Sequence, residues 1–396
     1  MKATTSPLRI GYCLSLTGPV ADNARSARLA HEIWQENVNR SGGLLNRKVE
    51  LICRDDFSNA ANVPNLYRQL LDEDKVDLVI GGYGTNSVAP ALPVVAEREL
   101  FFVGLQGLGA NDDLSYPGYF AIIPTGPDPN PTLTEGFFAL AAQQSPRPTT
   151  VALLSADALF AKNPIIGARV NAEKYGFEIV HEATYALATE NFTEIVEEVA
   201  KSNCDLLFIC SYLNDSIGLV RAIHASSFRP KMVGASMIGP QTAAVKSTLG
   251  PLLNGFVNYE YWAPVGSMMF PGTAEFLTAY QARAAKEHVD LLGHYTPLLA
   301  YAQMQVVAQA VEATGGIYDA ELSAYAREAT FNTVMGPIRF GKNGEWAEPR
   351  VLQVQFQGID GHGLQQFRQG LRQIVVWPPE NSSGTLKYPY IKALTP

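Results

Sequence analysis

Short apolar runs alternate with stretches of helical period along the first third of the chain. IGYCLSLTGPVA from Ile10 to Ala21, VELICRDD from Val49 to Asp56, DLVIGGYGTNS from Asp77 to Ser87 and FFVGLQG from Phe101 to Gly107 each begin apolar and end in small or polar residues. Runs of that kind suit parallel strands buried on both faces, with polar loops gathered along the edge where the strands end. Between them Ala27, Ala30, Ile33, Trp34 and Val38 recur at helical spacing and form one apolar face, which Gly42 and Gly43 close. Val63, Leu66, Tyr67, Leu70 and Leu71 repeat the pattern before VDLVIGG, and Val88, Leu92, Val95 and Ala96 repeat it before LFFVGL. These βα units are consistent with one doubly wound lobe.

The Pro-rich stretch PTGPDPNP, Pro124 to Pro131, breaks the rhythm, and QQSPRPTT follows one helix later. The alternation then restarts with TVALLSA, a helix near Ile165 to Tyr175, FEIVHEATY, a helix from Phe192 to Ala200, CDLLFICSY, a further helix and KMVGASM. This predicts a second α/β lobe. The helical stretch from Tyr295 to Ala313 is expected to return the chain to the first lobe, and IRFGKNGEW, VLQVQFQG and LQQFRQ read as hairpins. The expected fold class is therefore α/β, with two doubly wound, Rossmann-like lobes joined by a multi-segment hinge. One lobe is expected to span residues 7–124 with 263–335, the other 125–262 with 336–396. Two lobes joined by extended segments suggest a cleft.

Composition narrows the class of partner. A chain of 396 residues is too long for one ordinary core, and a hydrophobic fraction of 47% can fill two. A formal net charge of −8, with no local Lys/Arg stripe, opposes binding to phosphate backbones, so nucleic acid is not an expected partner. No apolar run reaches the roughly 18 residues a membrane span needs. The opening MKATTSPLRI lacks the apolar core of a secretion signal, which implies either a cytosolic protein or a leader absent from this sequence. Cys13 and Cys53 fall in the first two expected strands, while Cys204 and Cys210 share one strand and stand too far apart to bridge. Without a CxxC or Cys/His spacing the set reads as four buried thiols, and no metal site or cofactor is expected. Whether Cys13 and Cys53 meet stays open.

Taken in order and spacing, IGYCLSLTGPVA, VNRSGG, ELICRDD, VIGGYGTNSVAPALPVV, YFAIIPT, EFLTAYQAR, YAQMQVVAQAVEATGG and GPIRFGKNGE make the chain resemble the type I periplasmic substrate-binding proteins of ABC importers, in the branch that includes the leucine/isoleucine/valine-binding proteins. The resemblance covers almost the whole chain. It implies a periplasmic monomer that captures a small solute by hinge closure and presents it to an ABC permease of the inner membrane. Two loops of the first lobe hold the ligand carboxylate in this family, and the role carries over to Thr85, Gln106, Gly107 and Leu108. A helix N-terminus and small loop residues suit an anion physically; composition alone favours Thr85 as a plain helix cap and the glycines as plain turns, and the resemblance reverses that preference. Leu16 and Tyr83 join this side of the set. From the second lobe DALFAKN resembles the family's Asp-x-x-aromatic-Gly turn and places Phe160 over the ligand, with Ala161 in place of the glycine. Tyr212 stands at a matching strand end, and His294 and Tyr295 stand in GHYTPLLAYA. Tyr261 and Trp262 are further aromatic candidates; any one aromatic taken alone is more often core, and it is the convergence of several on one edge that favours a ligand wall.

One departure bears on substrate class. Where amino-acid-binding relatives carry an acid for the ligand ammonium, this chain reads MVGASMIG, with Ser236 and Met237. A buried ammonium without a carboxylate is costly, so an aromatic carboxylate of benzoate or phenylpropanoid type is expected, its ring on Phe160 or Tyr212 and a ring hydroxyl on Ser236 or His294. Asp157 or Asp215 could substitute for the missing acid, so a branched-chain amino acid stays open as a ligand. Such a cleft would also suit a cytosolic ligand sensor of a regulator, or an enzyme. Catalysis has little support: LTGPVADNA has one glycine where a dinucleotide fingerprint needs three, and there is no P-loop Lys, GxSxG or HExxH. Asp55 and Asp56 end the second strand as a ribose-binding acid would, but they are also a feature of the resembled family.

Overall fold

The computed structural model describes residues 6–187, 189–370 and 372–391. The chain divides into two compact units, Met1–Pro127 with Phe270–Pro349 and Asp128–Met269 with Arg350–Pro396, and so passes between them three times.

In the first unit the alternation seen in the sequence becomes β1 (Leu8–Leu14), α1 (Ala21–Arg40), β2 (Val49–Asp55), α2 (Val63–Asp72), β3 (Leu78–Val79), α3 (Thr85–Glu97), β4 (Phe102–Leu105) and β5 (Tyr119–Ile122). β2, β1 and β3 are parallel neighbours, and β4 pairs in parallel with β5. Beyond β3 the chain continues alongside β4, Gly81 N donating to Val103 O at 2.8 Å and Gly84 N to Leu105 O at 2.9 Å. The order is thus β2-β1-β3-β4-β5. The seam needs glycine: a Cβ on Gly81 would stand 2.7 Å from Gly104 Cα. The apolar face of α1 is buried through Ala24, Ala27, Ala30, Ile33 and Trp34. Its stop glycine is obligatory, because Gly43 has φ +87 and a Cβ there would meet Arg47 O at 1.8 Å.

The second unit begins with α4 (Pro129–Ala142), followed by β6 (Thr150–Ala156), α5 (Leu159–Tyr175), β7 (Glu178–Tyr185), α6 (Thr193–Lys201), β8 (Leu206–Ser211), α7 (Leu213–Ala225), β9 (Met232–Met237), α8 (Ala243–Leu249) and β10 (Val257–Glu260). The chain then returns to the first unit for α9 (Thr273–Glu287), α10 (Thr296–Thr314), α11 (Asp319–Glu328) and the antiparallel pair β11 (Phe331–Thr333) and β12 (Gly336–Ile338). It ends in the second unit with β13 (Leu352–Phe356), α12 (Gln365–Arg368) and β14 (Gln373–Trp377). The sheet there runs β14-β13-β10-β9-β8-β6-β7, parallel from β10 to β7, with β13 and β14 antiparallel.

Several details differ from the expectation. Residues 336–349 belong to the first unit rather than the second, held there by the β11–β12 pairing, by Ala121 N on Gly344 O at 2.8 Å and by Asn111 Nδ2 on Asn343 O at 3.3 Å. LQQFRQ holds a helical turn, α12, in place of a hairpin strand; its phenylalanine is fully buried while its polar neighbours are not. Cys204 precedes β8, Cys53 is only partly buried, and all four cysteines are free thiols. Among the described residues no helix is long and apolar enough to cross a membrane.

Candidate functional site

In the first unit the candidate residues lie at or beyond the carboxyl ends of β1, β3 and β4 and at the start of α10. The loop after β1 is fixed by Asp55, which ends β2, and Asp56, which follows it: Asp55 Oδ1 accepts from Leu16 N at 2.9 Å and Phe57 N at 2.8 Å, and Asp56 Oδ1 accepts from Ser15 Oγ at 2.5 Å and Ser58 N at 2.8 Å. The aspartate pair therefore serves the backbone of its own loops, and Leu16 is half-buried with its N–H engaged. Tyr83 OH accepts from Asn23 Nδ2 at 2.9 Å, and its ring meets Tyr295 edge-on at 6.5 Å. Burial pushes the Tyr83 hydroxyl pKa up.

Thr85 is the first residue of α3, behind Gly84 at φ +84, and α3 has no side-chain cap. The Thr85 hydroxyl donates to Leu108 O at 3.4 Å, so it ties two loops together rather than capping its helix. Gln106 is buried, has φ +54 and donates its N–H to Ile122 O at 3.1 Å. Gly107 is required by close packing, since a Cβ there would stand 2.9 Å from Val88 Cβ. Leu108 is wholly buried, and His294 and Tyr295, both buried, lead directly into α10.

In the second unit the candidates gather at the carboxyl ends of β6, β8, β9 and β10. Phe160 and Tyr212 meet edge to face, with ring centroids 6.0 Å apart. Ala161 lies inside α5, so DALFAKN forms a helix start in place of the expected turn. Ser236 and Met237 end β9, where Asn258 brackets Met237: Met237 N donates to Asn258 Oδ1 at 2.9 Å, and Asn258 Nδ2 donates to Met237 O at 2.8 Å. The preceding Ala235 has φ +99, a rare conformation for a residue with a Cβ; it persists only because its surroundings over-determine it. A Cβ on Gly234 would stand 1.9 Å from Val257 O, which is why β9 and β10 can approach there. Ser236 is buried opposite Cys210 in the β8–β9 register. Tyr261 is buried edge-on to Tyr259 at 5.3 Å, and the Trp262 indole donates to Met268 O at 2.7 Å, an interaction internal to the unit.

The two buried acids of this edge, Asp215 and Glu260, are already engaged. Tyr185 OH donates to Asp215 Oδ2 at 2.6 Å, and burial holds the Asp215 carboxyl above the usual carboxylate range. Asp157 is exposed, with Lys162 at 3.9 Å. Glu260, which no sequence motif singles out, is buried at the end of β10, 3.8 Å from the equally buried Lys246, and accepts from Gln373 Nε2 at 2.8 Å. A lone charge in the strand-like VNYEYW is its only signal in the sequence. Among the described residues no group of three or more His, Cys, Asp or Glu side chains is placed to hold a metal ion.

Carboxyl-end loops of two doubly wound α/β units, rich in aromatic and hydrogen-bonding groups, define the class of two-unit solute receptors. The family described as periplasmic binding protein matches residues 7–358, and the chain belongs to it. Among curated relatives, the "Leu/Ile/Val-binding protein homolog 8" of Brucella abortus is 22% identical over 369 residues, covering 90% of this chain and 89% of the relative. Among solved structures, an ABC-transporter solute-binding protein from R. palustris in complex with benzoate matches with a TM-score of 0.76 at 14% identity, over 93% of this chain and 95% of that one. The branched-chain amino acid transporter substrate-binding protein LivJ from Streptococcus pneumoniae, in complex with isoleucine, matches with a TM-score of 0.73 at 16% identity, over 90% and 97%. The fold is that of type I periplasmic binding proteins, and the chain is a solute-binding protein of the ABC-transporter kind.

Proposed function

We propose that this protein captures a small aromatic carboxylate, of benzoate or phenylpropanoid type, by hinge closure in the periplasm and delivers it to an inner-membrane ABC permease. Ligand that engages both units favours the closed state by its differential contacts, and the permease reads that state. The carboxylate is assigned to the α3 N-terminus with Thr85 and the Gln106–Leu108 loop, the ring to Phe160 and Tyr212. Carrying the reading is the commitment of the acids at the second unit's edge: Asp215 accepts the Tyr185 hydroxyl, Glu260 lies against Lys246 and Gln373, and Ser236 stands at the strand end where an ammonium-binding acid would be needed. A ligand ammonium buried there would lack a carboxylate partner, at a cost of several kcal/mol.

Branched-chain amino acids are the second reading, favoured by the names of the sequence relatives. A thermal-shift panel of benzoates, cinnamates, phenylpropionates, leucine and valine separates the two. Ligand that binds only the native state raises the melting temperature by mass action. Stabilisation by the aromatic acids alone is expected, and stabilisation by leucine or valine alone refutes the aromatic reading.

A further inference from the structure

Gln106 carries two costs at one position. It is a non-glycine residue at φ +54, and its side chain is buried while, among the described residues, neither Nε2 nor Oε1 has a hydrogen-bond partner. Left-handed backbone at a residue with a Cβ is uncommon, and leaving a buried amide without hydrogen bonds is costly. Two nearby hydroxyls are engaged, while Asn86 Oδ1, like the Gln106 amide, has no partner among the described residues. The Thr85 hydroxyl is spent on Leu108 O, and Tyr83 OH accepts from Asn23. The loop is also rigid: Gln106 N is bonded to Ile122 O, Gly107 lies against Val88, and Tyr119 OH reaches Gly107 O at 3.4 Å. Strain and an unsatisfied amide, held rigidly at the carboxyl end of β4, mark a group reserved for a ligand rather than for the fold.

The chemistry of that group is two-sided. A carboxamide offers a donor and an acceptor side by side, whereas a plain carboxylate can satisfy only the donor. We propose that Gln106 is a specificity-determining residue that selects acids bearing a hydroxyl on the carbon next to the carboxylate, the carboxylate accepting from Nε2 and the hydroxyl donating to Oε1. This rests on the carboxylate reading of the proposed function and narrows it to 2-hydroxy acids.

Calorimetry on the full chain with two matched pairs, mandelate against phenylacetate and 3-phenyllactate against 3-phenylpropionate, tests it. In the unsubstituted protein the hydroxy acid of each pair is expected to bind at least about tenfold more tightly, the value of one satisfied buried hydrogen bond. Gln106→Met, similar in length and apolar, is expected to abolish the preference, chiefly by weakening the hydroxy acid. Equal or tighter binding of the deoxy acids by the unsubstituted protein overturns the inference and leaves the aromatic-acid reading intact. A preference that survives Gln106→Met also overturns it. Failure of all four acids to bind overturns the inference, and the benzoates and cinnamates of the thermal-shift panel then decide the aromatic-acid reading. The ratio in the unsubstituted protein needs no variant, so it stays decisive even where a Gln106→Met chain does not fold.

Discussion

Glu345 offers a test of how burial sets proton affinity. Its side chain is buried in the first unit, and among the described residues neither carboxyl oxygen has a hydrogen-bond partner. Burial, with a smaller contribution from the Asp112 charge, raises its pKa well above the ordinary 4.5. The carboxyl is thus protonated in the folded chain at pH values where the unfolded chain has already lost the proton. Because the folded state then binds the extra proton, stability is fully present below the unfolded pKa and falls as pH rises toward the folded value. Each pH unit inside that window removes about 1.4 kcal/mol. Glu345→Gln keeps the shape and removes the titration. Urea denaturation of both proteins at a series of pH values from mildly acidic to mildly alkaline reads the difference. The variant is expected to gain on the parent as pH rises from the unfolded pKa toward the folded one, with the smallest difference at the acid end. A difference that is constant across the series refutes the reasoning, because it would mean that Glu345 titrates alike in the folded and unfolded chains.

Other groups give further checks. Lys246→Met leaves Glu260 buried without its cation and is expected to cost about 3–5 kcal/mol by chemical denaturation, whereas replacing both members with apolar residues should cost much less. Tyr185→Phe removes the hydroxyl that Asp215 accepts and is expected to cost about 1–3 kcal/mol, read in the same way. His31, buried and hydrogen-bonded to Gln303, has its pKa lowered to about 4 by burial. Its imidazole is expected to show no protonation by NMR at neutral pH. Its contribution to stability should be lost as pH falls from the unfolded value of 6.5 through the folded one.

The fold was legible where local pattern and tertiary outcome agree. Ala27 through Trp34 face the core because the 3.6-residue period puts them on one stripe, and Gly43 ends α1 because no other residue fits against Arg47 O. The carboxyl-end loops with Thr85, Gln106, Tyr212 and Ser236 could be found because they follow apolar strand runs. What could not be read depends on pairings far apart in sequence. Nothing local in GPIRFGKNGE reveals that Gly344 O will accept from Ala121, which ties residues 336–349 to the first unit. Nor does local pattern reveal the commitment of Asp215 to Tyr185, 30 residues away, or of Glu260 to Lys246 and Gln373. The Asp pair stands out by its charge, but its role is to hold loops, which only the hydrogen bonds from Ser15, Leu16 and Phe57 disclose. The strain at Gln106 and Ala235 is a backbone property that no side-chain pattern encodes.

The central claim, that the site takes a carboxylate and has no free carboxylate for an ammonium, is tested most directly by titrating 3-phenylpropionate and L-phenylalanine into the protein by calorimetry. The two differ only in the α-ammonium group. The account predicts that phenylpropionate binds at least about a hundredfold more tightly, since the unpaired ammonium would be buried at a cost of several kcal/mol. Tighter binding of phenylalanine would contradict it and would show that the amine is met by Gln106 Oε1 or by one of Asp157, Asp215 and Glu260.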